Sequence, residues 1–135
     1  MSRAEWRQRW FRISRRNGSE LVEGIVCGAF GIRLEERRRP VWTVTHLPSD
    51  RRATPGGGSF TNLELAKEFA VRLLGMADWN NIDRDAANKQ LGSQVVAIWN
   101  ELIARDVATT FANRYGVDPQ RLLNMTNTAA RRRRS

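Results

Sequence analysis

Hydrophobic and polar positions change period along this chain. Phe30, Ile32 and Leu34 alternate with glycine or arginine, and Trp42 and Val44 repeat the two-residue period in PVWTVTHL. Such alternation in aromatic and β-branched types predicts two half-buried strands. Glu35, Glu36, Arg37, Arg38, Arg39 and Pro40 form the turn between them, and a turn over 48–50 leads to a short strand near 51–54. Upstream, RWFRISRRNGSELVEGIVCGAFGIRL contains Asn17-Gly18, the dipeptide best suited to a two-residue hairpin because both positions accept positive φ. A hairpin pairing 10–15 with 20–27 is the preferred reading. The competing one is a basic aromatic helix, since Trp6, Trp10 and Ile13 fall at i, i+4 and i+7.

The helical period begins after PGGGS, residues 55–59, which reads as a mobile loop tip. In FTNLELAKEF, Thr61 is the expected N-cap and Glu64 the capping-box partner, with Phe60 and Leu65 placed for a hydrophobic staple. This helix should reach about Met76 and lay Leu63, Ala66, Ala70, Leu73, Leu74 and Ala77 against the sheet. A polar turn around Trp79, Asn80 and Asn81 precedes a long helix from near Asp83, with Leu91, Val95, Ile98, Trp99, Leu102 and Ile103 on its apolar face. The expected class is α+β: an antiparallel β-meander of three to five strands packed on a capped helix, then a helical C-terminal portion. One domain over 1–135 is expected, with a β-rich basic part at 1–60, a helical part at 61–128 and a disordered basic tail at 129–135.

Composition changes this picture mainly through charge. The chain has 135 residues, 41% apolar and 27% charged, a usual globular mix. Its net charge is +9, and arginine outnumbers lysine 21 to 2. Residues 1–54 hold twelve arginines against six acids, residues 55–130 seven bases against eight acids, and Arg131, Arg132, Arg133 and Arg134 follow. A cationic surface attracts polyanions at a distance, and the planar guanidinium fork suits phosphate, so nucleic acid is the leading partner. The single Cys27 precludes an internal disulfide, and with one histidine there is no cysteine/histidine set for zinc. No membrane span and no secretory signal are visible, so a cytoplasmic protein without cofactor is expected.

The segment FANRYGVDPQRLLNM carries the sharpest motif. Ala112, Gly116, Val117, Leu122 and Met125 supply a small residue at a helix contact, a glycine for chain reversal, an apolar residue after it and an inner face for a second helix. Phe111 and Tyr115 would form the first helix's inner face, with Asp118 as N-cap and Pro119 at the first helical position. Over residues 108–127 the chain resembles the helix-turn-helix DNA-binding family. The resemblance implies a second helix in the major groove, with Gln120, Arg121, Asn124 and Asn127 as base readers and Arg131, Arg132, Arg133 and Arg134 on phosphates. It also implies a homodimer matched to two half-sites, although no zipper is visible. The purely structural alternative is two packed helices joined by a tight turn. The second helix departs from the family in being short and close to the chain end, so bracing would have to come from 84–105.

Sheet followed by FTNLELAKEFA is similar, more weakly, to the sheet-plus-helix DNA-binding modules of plant ethylene-response factors and recombinase arm domains. Those modules read DNA with an exposed sheet face, where Arg33, Arg37, Arg38, Arg39, Arg51 and Arg52 would lie; a solvated sheet face is the plainer account. Other chemistry is thin. His46, Ser49 and Asp50 read as turn residues and not as a converging catalytic set. PGGGS lacks the lysine of a phosphate-binding loop, and Asp78, Asp83 and Asp85 do not complete a calcium loop. Trp42 and Trp99 read as core anchors, as does Cys27. Trp6 and Trp10 also favour the core, with stacking on bases or on a partner as the alternative. Two functions follow: a non-enzymatic small bacterial, phage or mobile-element DNA-binding regulator or accessory factor, with RNA as a second ligand, or a phage- or mobile-element-encoded interaction protein that inhibits a host nucleoprotein complex, of the anti-CRISPR type.

Overall fold

The computed structural model describes residues 5–82 and 84–116. Five antiparallel strands, β1 (Arg7–Arg15), β2 (Gly18–Cys27), β3 (Phe30–Glu35), β4 (Val41–His46) and β5 (Arg51–Arg52), stand in the order β1-β2-β3-β4-β5. Two helices follow, α1 (Leu63–Leu74) and α2 (Arg84–Tyr115). The protein is α+β, a β-meander followed by helices, and the helical reading of the N-terminal segment is excluded.

The hairpin turn differs from the expectation. Arg15 pairs with Gly18, so Arg16 and Asn17 make the turn, and of Asn17-Gly18 only Gly18 has positive φ, at 128°. This register sets Phe11 opposite Val22, where both close with Ile13, Val26 and Leu47 into an apolar cluster. The pairing keeps Phe11, Ile13 and Val22 on one strand face.

The sheet is curled. β2 pairs with β3 only through Ile25, Val26 and Cys27, and beyond them the hairpin folds over the sheet face that carries Gly31, Thr43 and Thr45. Two glycines allow the close approach: a Cβ at Gly24 would lie 2.2 Å from the Ile32 carbonyl oxygen, and one at Gly31 would lie 2.9 Å from the Phe11 ring. The Ser14 amide closes the curl by donating to the Asp50 carbonyl at 2.7 Å. Asp50 takes φ 59°, which aspartate tolerates better than most residues.

The opposite sheet face carries the main core. Phe30, Ile32 and Val44 meet Leu65, Ala66, Phe69, Ala70 and Leu73 of α1, and Leu102 of α2 completes the cluster. Each large apolar side chain fully buried here contributes roughly 1.5–3 kcal/mol. Phe60 joins the two parts: its backbone pairs with Trp42 at 2.7 and 2.9 Å, and its ring lies 5.7 Å from Phe69 and 5.0 Å from Trp99.

The start of α1 also corrects the expectation. Asn62 is the N-cap, its side-chain oxygen accepting from the amides of Glu64 at 2.8 Å and Leu65 at 3.3 Å, so Glu64 is one position too early for a capping box. Thr61 is held by α2 instead: its amide and hydroxyl donate to the buried Asp106 carboxylate at 2.7 and 2.6 Å. Asparagine caps at least as well as threonine, which leaves Thr61 available for that tertiary contact. The helix ends at Leu74, two residues short of the expected Met76. The PGGGS segment is tied down and is not a loose tip: Pro55–Gly57 forms a 3-10 turn, the Thr54 hydroxyl donates to the Gly58 carbonyl at 2.6 Å, and Gly58 sits against the Trp99 ring.

Candidate nucleic-acid interface

Strand and bend geometry disperse the arginines of the β-rich part outward. Arg37, Arg38 and Arg39 occupy the β3–β4 bend, where no neighbouring strand covers them, and all three are exposed. The Arg37 guanidinium donates to the Arg39 carbonyl, at 3.3 Å. In β5, Arg51 is exposed, whereas Arg52 is fastened, donating to Glu35 at 3.0 Å and to the Gly57 carbonyl. On the hairpin, Arg9, Arg12 and Arg16 are exposed. Among the described residues, Arg9, Arg12, Arg16, Arg37, Arg38, Arg39 and Arg51 have no carboxylate oxygen within 4.0 Å.

Arg33 is placed differently. Its side chain is only 11% exposed beneath the folded-over hairpin, with Glu35 at 3.9 Å. Burial first, and then the charge of Arg15, push its pKa below the ordinary arginine value. The hairpin therefore covers this face of β3 and β4, where Thr43 and Thr45, each 2% exposed, are buried beside the half-buried Arg33.

Of residues 108–127, which resemble a helix-turn-helix in sequence, the structure describes 108–116. α2 runs unbroken to Tyr115, and Gly116 then takes φ 68° while its amide donates to the Ala112 carbonyl at 2.7 Å, a helix-ending arrangement. Ala112 is buried. Phe111 and Tyr115, expected on an inner face, are exposed and stack on each other with ring centroids 4.5 Å apart. Val117, Asp118, Pro119, Leu122 and Met125, with Gln120, Arg121, Asn124, Asn127, Arg131, Arg132, Arg133 and Arg134, lie outside the described residues.

Two features escaped the sequence reading. Trp10, expected in the core, is 63% exposed, because period-two alternation puts it on the strand face opposite Phe11 and Ile13. Leu21, 52% exposed, lies diagonally across from it, and Arg12 stands directly opposite Leu21. The alternation WFRI carried that signal. Trp6, by contrast, is half-buried against the main core.

The second feature is a contact. His46 and Ser49 do meet: His46 Nε2 donates to the Trp79 carbonyl at 2.7 Å, and Nδ1 lies within hydrogen-bond distance of the Ser49 hydroxyl, at 2.9 Å. Asp50 does not orient the ring; a backbone carbonyl does. Cys27 is buried as expected, and burial pushes its thiol pKa up. Among the described residues no cluster of histidine, cysteine or carboxylates is suited to a metal ion, and no helix is long and apolar enough to cross a membrane. Compared with protein-family models, curated proteins and solved structures, the chain matches none of them.

Proposed function

We propose that this is a non-enzymatic nucleic-acid-binding protein, a small DNA-binding regulator or accessory factor of the kind carried by bacteria, phages or mobile elements. The supporting observation is the set of seven exposed arginines in the β-rich part with no carboxylate partner among the described residues. A guanidinium without a carboxylate partner keeps its charge unneutralised for phosphate. In this reading the arginines hold the backbone of the duplex, while Gln120, Arg121, Asn124 and Asn127 supply sequence preference from the helix-turn-helix segment. The test is a salt titration on duplex DNA. A phosphate binder gives log K falling with log salt by about 0.9 for each contact, and Arg121→Ala should flatten the preference between selected and random sequence. Affinity that ignores salt would sink the proposal.

The exposed Trp10 and Leu21 favour a second reading, an inhibitor that docks on a nucleoprotein complex, because tryptophan beside arginine is the usual composition of an interface hot spot. An inhibitor binds free DNA only weakly and without sequence preference. Trp10→Ala would then abolish capture of its protein target and leave DNA retention unchanged.

A further inference from the structure

A cleft of about 400 Å³ opens between the β4–β5 edge and the first half of α2, within the ~300–1,000 Å³ usual for small-molecule sites. One wall is aromatic: the Phe30 ring lies 5.7 Å from the His46 ring and 5.5 Å from the Trp79 ring. Ile82, Val95 and Val96 form the facing wall, and Arg51 and Arg52 line the strand side.

Among the described residues, the polar side-chain atoms of His46, Trp79 and Thr54 that border the cleft are already committed. His46 is bonded through both nitrogens, to Ser49 and to the Trp79 carbonyl, the Trp79 indole N–H donates to the Leu73 carbonyl, and the Thr54 hydroxyl donates to the Gly58 carbonyl. A nucleobase or sugar placed here would leave its own donors and acceptors unpaired, which is costly. An apolar body would not. Arg52 is fastened to Glu35 and Gly57, whereas the Arg51 guanidinium has no partner among the described residues.

Gly92 adds an independent observation. It sits inside α2, where glycine is among the poorest residues, yet a Cβ built on it meets no atom within 4 Å. Among the described residues no neighbour demands the missing side chain, and its effect is to leave the cleft open.

We propose that this cleft binds a small organic anion, an aromatic or branched aliphatic body seated between the Phe30, His46 and Trp79 wall and α2, with its carboxylate, sulfonate or phosphate ester on Arg51. The site does not depend on nucleic-acid binding, and its test uses no nucleic acid.

The full chain is titrated with 1-anilinonaphthalene-8-sulfonate, reading probe fluorescence and quenching of tryptophan emission, and separately with uncharged N-phenyl-1-naphthylamine. Saturable one-to-one binding of the sulfonate is expected. Gly92→Leu, which fills the cleft, should weaken both probes roughly tenfold or more while circular dichroism stays unchanged. Arg51→Gln should weaken the sulfonate severalfold and spare the uncharged probe. If Gly92→Leu does not fold, Val96→Trp blocks the same space from the rim. Absence of saturation below about 1 mM, or wild-type affinity in a folded blocking variant, overturns the proposal.

Discussion

The arginines of the β-rich part and those of the helices are the same residue type in two different roles. On the helices, Arg72 reaches Glu68 at 3.1 Å and also Glu101, Arg105 reaches Glu68 at 3.1 Å, and Arg114 lies over the Tyr115 ring at 5.7 Å. Helical spacing brings i and i+4 together, and packing of α1 on α2 brings further carboxylates within reach, so Arg72 and Arg105 bridge the two helices. In the β-rich part, twelve arginines face six acids, which cannot neutralise them one to one. Strand alternation and bends then turn the surplus to solvent. The lesson is that charge count alone does not define a binding surface; what matters is where carboxylates are missing.

The strongest way to test whether the two regions form one unit is Phe60→Ala, which removes the ring between Trp99 and Phe69. A loss of roughly 3–5 kcal/mol is expected in urea denaturation, with sheet and helix signals vanishing together. Separate transitions would mean the parts fold independently.

Next comes the open set. Replacing Arg37, Arg38 and Arg39 by glutamine should leave stability within about 0.5 kcal/mol. It should also lower the salt slope on duplex DNA by up to ~3, which corresponds to as much as about two to three decades of affinity at 0.1 M salt. An unchanged slope would show that these three arginines do not touch phosphate.

Asp106→Ala deletes the acceptor that holds Thr61 to α2, with an expected cost of roughly 1–3 kcal/mol in the same denaturation experiment. Arg72→Gln, by comparison, breaks half-exposed ion pairs and should cost no more than about 1 kcal/mol while leaving the salt slope of DNA binding untouched. If Arg72→Gln reduced binding as much as the bend variant, the division into clamping and open arginines would fail.

The smallest effect concerns Cys27. Its folded pKa is raised, first by burial and then by the nearby charge of Glu5, so the neutral thiol is the form the fold favours. That contribution is complete below the ordinary thiol range and is lost as pH rises through the raised folded value. Alkylation should be slow in buffer at pH 8 and fast in urea, and Cys27→Ala should show a slightly smaller alkaline decline in urea midpoint than the wild type.

Much of this was legible in residues alone. Alternation at 30–46 and the helical stripe at 63–74 identify elements because strand and helix periods are local properties of the backbone. The Asn17-Gly18 turn and the Thr61 cap fall one residue away from the observed ones: the turn is made by Arg16 and Asn17, and Asn62 caps α1 while Thr61 bonds Asp106. Trp10 was misassigned because tryptophan is mostly buried, and only the face chosen by Phe11 and Ile13 reveals that this one is not.

The sequence by itself determined the α+β order of elements, the excess of arginine and the exclusion of a disulfide, all set by composition and by periods of a few residues. Only the tertiary structure decided that the hairpin curls over the sheet and covers the side chain of Arg33, that Arg52 is held while Arg51 is open, and that a cleft lies beside Gly92. Those outcomes depend on which side chains meet across long stretches of chain, and that is settled by packing the curled sheet and two helices into one volume.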